Sequence, residues 1–160
     1  MSKHTRVLAA AVTVTAIAAA VAIPSLSGAH AGAASTSLLR IYDKPVTTTL
    51  TTTSGQVTSH PPYPRPKPGD VLDVYSLDYS GNHLHHAARW SMSNHLRCTF
   101  GHGAPTCESD LAVADSLLVF DGNKLVGGTG HYEAATGRVL SNKQVSDTAN
   151  DSDIVIRIKR

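Results

Sequence analysis

The chain has 160 residues, 41% of them hydrophobic, with 14 Lys or Arg against 12 Asp or Glu. That is enough to bury one core without a metal or several disulfides. A net charge of +2 is too small to mark a nucleic-acid surface.

Lys3 and Arg6 precede an apolar run from Val7 to Ile23, Pro24 and Ser25 break it, and Ala29-His30-Ala31 supplies a small-x-small cleavage box. This tripartition reads as a secretory signal peptide over residues 1–31. The run is rich in alanine and is followed by a cleavage box rather than by stop-transfer charges, which argues against a membrane span. Removing Lys3 and Arg6 leaves 12 basic residues against 12 acidic ones. The expected product is a single secreted domain over residues 32–160, near neutral, with neither a nucleic-acid nor a membrane partner. Arg157, Lys159 and Arg160 read as a solvated edge.

Along the chain the signals are those of short strands. Ser37 to Asp43 has an apolar centre, and Val46 to Thr53 is dominated by β-branched Thr, with Pro45 between them. His60 to Pro68 reads H-P-P-Y-P-R-P-K-P, an extended crossover that cannot donate to a ladder. Strands are then predicted at Val71 to Tyr79, His83 to Met92 and about Asn94 to Phe100. Cys98 and Cys107 flank T-F-G-H-G-A-P-T, the spacing of a disulfide across a hairpin-like loop in an exported chain. No C-x-x-C spacing points to zinc. Glu108 to Phe120 leads into the hairpin signal Asp121-Gly122, followed by Lys124 to Val126, Gly137 to Ser141 and Ile154 to Ile158. Ala134-Ala135 allows at most one helical turn, and Gln144 to Asp153 reads as a polar loop. Many evenly spaced short strands predict an all-β fold, an antiparallel closed barrel of about eight strands, whose interior is either filled or holds one small ligand.

The densest stretch is Leu125 to Val139, where Gly127, Gly128, Thr129, Gly130, Tyr132 and Gly137 surround a short strand. Glycine there marks a sharp bend or a close approach of backbone. The run G-G-T-G-x-Y resembles the late strand of the allene oxide cyclase and dirigent-like barrels. Pro68-Gly69-Asp70, opening a strand that runs to Asp78 and turns at Ser80-Gly81, resembles the same superfamily. His85 and Trp90 stand where that pattern usually has a small residue and a Cys. The resemblance implies an apolar pocket that holds a small hydrophobic molecule and steers its cyclisation or coupling, as a cofactor-independent isomerase would. It also implies a homo-oligomer. The alternative is a non-catalytic secreted barrel that binds a small ligand or serves a structural role.

A three-residue turn at Tyr79-Ser80-Gly81 would set Asp78 opposite Asn82 and sort the flanking strands into two faces. Leu72, Val74, Leu84, Ala88 and Trp90 form an apolar face; Asp73, Tyr75, His83, His85 and Arg89 share the other, with Asp73 near Arg89. Those five are the candidate pocket, a mixture suited to acid-base work. The competing arrangement is a solvated outer wall of ordinary cross-strand pairs, and a turn one residue shorter would set Tyr75 beside His86. His83 and His85 share one strand face, with His95, His102 or His131 as distant partners for a metal. The carboxylate that a cupin-type site needs is missing, so no metal is expected. The glycine run precedes no helix, which excludes a phosphate loop, and no G-x-S-x-G elbow occurs.

Overall fold

The computed structural model describes residues 35–60, 63–146 and 149–160, so the predicted signal peptide and its cleavage site lie outside the described residues. Ten strands follow in order: β1 (Thr36–Thr51), β2 (Val57–Thr58), β3 (Val71–Asn82), β4 (His85–His86), β5 (Met92–Thr99), β6 (Thr106–Val113), β7 (Ser116–Asp121), β8 (Lys124–Gly128), β9 (Thr136–Gln144) and β10 (Ser152–Lys159). One 3-10 turn, Gly130–Tyr132, stands between β8 and β9. Every pairing is antiparallel, in the order β1-β10-β9-β8-β7-β6-β5-β3, and β3 returns to β1. The sheet closes as an eight-stranded barrel, which leaves no open edge in the main wall.

Alternation decides what fills the interior. Ile41, Leu50, Leu118, Phe120, Leu125, Ile156 and Ile158 are each no more than 3% exposed, and they occupy every second position of their strands. The isoleucine repeat expected over Ile154 to Ile158 is β10, with Arg157 on the outside. The hairpin expected at Asp121-Gly122 joins β7 to β8, with Gly122 at φ 55°. Cys98 and Cys107 face each other across β5 and β6 and are bonded.

Several boundaries differ from the sequence expectation. The two segments flanking Pro45 form one strand, because the register shifts between Pro45 and Thr47 and Val46 bulges outward. A bulge is how a ladder accommodates a residue with no N–H to donate. Glu108 to Phe120 is split at Ala114, which takes φ 54° to make the β6–β7 turn. The largest departure is at His83 to Met92, where no long strand forms. β3 runs through Gly81 to Asn82, and the chain reverses at His83-Leu84. Asn82 fixes that reversal by accepting the N–H of Leu84 at 3.0 Å and of His85 at 2.9 Å. Residues 83–91 become a flap, and Leu84 (71%) and Trp90 (55%) are exposed rather than packed in the core. Among the described residues no helix is long and apolar enough to cross a membrane.

Candidate functional site

The five residues expected to line one pocket do not do so. Inner positions of β3 go to Leu72, Val74, Ser76 and Asp78, so Asp73 and Tyr75 project from the outer wall. Asp73 pairs there with neighbours from β5, His95 Nε2 at 3.3 Å and Arg97 at 3.5 Å, rather than with Arg89. His83 is held outside β10, its Nδ1 2.6 Å from Asp153 Oδ2 and its backbone N–H donated to Oδ1 at 2.7 Å. His85 and Arg89 lie exposed on the flap. The physical reason is burial: apolar side chains take the interior, and the polar set left over faces water. Among the described residues no three His, Cys, Asp or Glu side chains assemble a metal site.

The glycine run serves the β8–β9 connection. A Cβ on Gly128 would lie 2.6 Å from the Tyr132 carbonyl and 2.7 Å from that of Leu117, and Gly130 takes φ 56° beside Ser116. Thr129 ties the segment to β7: its hydroxyl accepts the Leu117 N–H at 3.1 Å, and its own N–H donates to the Leu117 carbonyl at 2.9 Å. Tyr132 packs against the core. Gly127 meets nothing within 4 Å, so its lack of a side chain answers no steric demand.

The cavity that remains is the barrel lumen itself. A space of about 120 Å³ is walled by apolar Ile41, Leu96, Leu111, Phe120, Val139, Ile154 and Ile156, with polar atoms from Asp78, Asn94, Ser109 and Asn142. Leu96 and Asn142 also line a wider mouth of about 500 Å³, together with Thr48, Leu50, Leu72, Val74 and Asp43. The proline-rich crossover covers that mouth with Tyr63, Pro64, Arg65 and Pro66. Tyr63 donates its hydroxyl to the Thr48 carbonyl at 3.2 Å. Asp70, 2% exposed, accepts N–H groups from Lys67 at 2.8 Å and Thr53 at 2.9 Å and so anchors the far end of the crossover.

At the junction of lumen and mouth sit two carboxyl groups that sequence reasoning did not select. Asp43 on β1 and Asp78 on β3 are register partners with both side chains inward, 7% and 1% exposed. Asp43 Oδ1 and both carboxyl oxygens of Asp78 are buried where no surrounding N–H or O–H group donates to them. Asp78 is pushed up to about 8, first by burial, then by the negative charge of Asp43, then by the hydrogen bond that a proton on Asp78 offers Asp43. At neutral pH Asp78 therefore keeps its proton and stands as a donor beside Asp43, in a mostly apolar chamber. The signal was parity: Asp78 shares the phase of Leu72 and Val74, and Asp43 that of Ile41.

A second buried carboxylate is satisfied. Asp151, 7% exposed, accepts the Tyr42 hydroxyl at 2.6 Å, which pushes Tyr42 up to about 12. Tyr42 stands on the outer side of β1 with the rings of Tyr79 and His86 tilted against it, centroids at 6.0 and 4.9 Å, so the flap rests on this pair. Compared with protein-family models, with characterised proteins and with solved structures, the chain matches none of them.

Proposed function

We propose that the barrel is an exported protein that takes up one small, largely hydrophobic molecule through the proline-covered mouth and steers its cyclisation or coupling in the lumen, in the manner of the allene oxide cyclase and dirigent-like barrels that the glycine run resembles. The observation that carries this reading is the buried Asp43–Asp78 pair at the end of a mostly apolar chamber. A buried acid that keeps its proton at neutral pH donates to an oxygen on the guest. Asp43, its register partner, is placed to accept a proton or to face positive charge that develops during ring closure. The apolar walls hold the guest in one folded shape, which supplies the positioning part of the rate. Such chemistry draws on side chains alone.

A non-catalytic carrier would use the same chamber for sequestration. Titration with the neutral fluorescent amine N-phenyl-1-naphthylamine separates the readings from a barrel with no guest at all. One saturable site is expected, lost in Leu96→Trp, since Leu96 lines both lumen and mouth. Binding that is unsaturable, or unchanged in that variant, would overturn the lumen as a binding site. With oxygenated guests, Asp78→Ala is expected to weaken turnover more than binding; equal loss of both favours the carrier.

A further inference from the structure

The outer faces of β8, β9 and β10 carry four cations that make no ion pair among the described residues. Lys124 faces Arg138 across β8 and β9, and Arg138 faces Arg157 across β9 and β10. Three positive side chains thus stand side by side on strands about 4.8 Å apart. Lys159 joins them around an open hollow of about 460 Å³. Like charges directly opposite each other destabilise a sheet. Among the described residues the ion pairs are His83 with Asp153, His95 with Asp73 and Arg97 with Asp73, so none involves these four cations. The nearest carboxylates by register are Asp121, across the β7–β8 turn from Lys124, and Asp153, already engaged by His83. Counted along the chain Arg157 and Lys159 are an edge; the topology turns them into part of a basic face.

Aliphatic side chains stand among these cations. Leu38 faces Arg157 across β1 and β10 and is 53% exposed; Val126 and Leu140 follow Lys124 and Arg138 on their own strands at 48% and 37%. We propose that this wall docks on an anionic lipid surface, with the cations on headgroup phosphates and the aliphatic residues at the top of the acyl layer. A polyanion in solution would satisfy the cations and leave the aliphatic residues in water. A lipid surface accounts for both. β8, β9 and β10 contain no aromatic residue, so the face offers no ring on which a nucleic-acid base could stack. The inference is separate from the lumen reading, since the wall and the carboxylate pair lie on opposite sides of the sheet.

The test is co-sedimentation of the chain from Gly32, which contains all the strands that close the barrel, with vesicles of phosphatidylcholine alone and of phosphatidylcholine mixed with phosphatidylglycerol. Partition into the anionic vesicles alone is expected, released by salt. Arg138→Gln with Arg157→Gln should weaken it about twenty-five-fold, from roughly fivefold per cation at an anionic surface. Leu38→Ser with Leu140→Ser should weaken it as well while leaving the far-ultraviolet circular dichroism and the thermal midpoint unchanged, which confirms that the variants fold. Equal partition into both vesicles, no partition into either, or unchanged partition of the arginine variant would overturn the proposal. So would capture by polyphosphate or heparin that is indifferent to the leucine change while vesicles are ignored.

Discussion

Replacing Asp78 by Asn removes a group that the folded barrel keeps protonated. Its shift from 3.8 to about 8 means that the folded state holds a proton which the unfolded chain releases near pH 4. The contribution to stability is therefore complete below the unfolded value and is lost as pH rises toward 8. Between pH 5 and 8 the loss is about 4 kcal/mol at 1.36 kcal/mol per unit, a figure that belongs to the Asp43–Asp78 pair as a whole. For a domain of this size, with a urea dependence of about 1.5 kcal/mol per molar, the unfolding midpoint should fall by roughly 2 to 3 M over that range. In Asp78→Asn the amide cannot ionise and can donate to Asp43, so the midpoint should lose most of this slope and exceed that of the parent at pH 8. A parent whose midpoint is flat from pH 5 to 8, or a variant with the same slope, would refute the buried-acid argument.

Gly128→Ala should cost about 1 to 3 kcal/mol, because its Cβ would press on two backbone carbonyls, whereas Gly127→Ala should be close to neutral; equal thermal shifts would remove the distinction. Tyr42→Phe leaves the buried Asp151 carboxylate without its donor and should cost about 1 to 3 kcal/mol in urea unfolding. In ultraviolet titration it should also delete the phenol that ionises near 12. Asp73→Ala and Trp90→Ala, both on the outer surface, should each stay within about 0.5 kcal/mol, and a large loss for either would place it in a packed environment instead.

The barrel was legible because its signals are local. Alternating isoleucines, Asp121-Gly122 and the thinness of helix-forming sequence each constrain a strand or a turn on their own, and an antiparallel sheet of that many short strands has few ways to bury itself. The site was not legible, because it depends on which face turns inward and on where one hairpin reverses. Gly81 looks like a turn residue and does take φ 120°, yet the chain continues past it, and the Asn82 side chain sets the reversal two residues later. That shift leaves His85 and Arg89 on the exposed flap and ties His83 to Asp153 outside β10. The division of β3 into a Leu72–Val74 face and an Asp73–Tyr75 face was sound. Extending the first face by two more alternations reaches Ser76 and Asp78, where apolar residues would be expected and polar ones stand buried. The pairing of Asp78 with Asp43 needed the β1–β3 register, which no local pattern encodes.

The seam between β1 and β10 has a consequence for how the chain reaches this shape. β1 is held on one side by β3 and on the other by β10, and the Tyr42–Asp151 bond that fastens the second contact joins residues 109 apart. No early hairpin can supply that contact. Until β10 arrives, the partly folded sheet presents two bare strand edges, one on β1 and one on β9. Closure is thus a late, long-range step, of the kind that slows β proteins to milliseconds or seconds and exposes them to mispairing with neighbouring copies. Weakening the Tyr42 latch should prolong the open-edged state, so its effect on yield at high protein concentration should exceed its effect on the stability of the finished barrel.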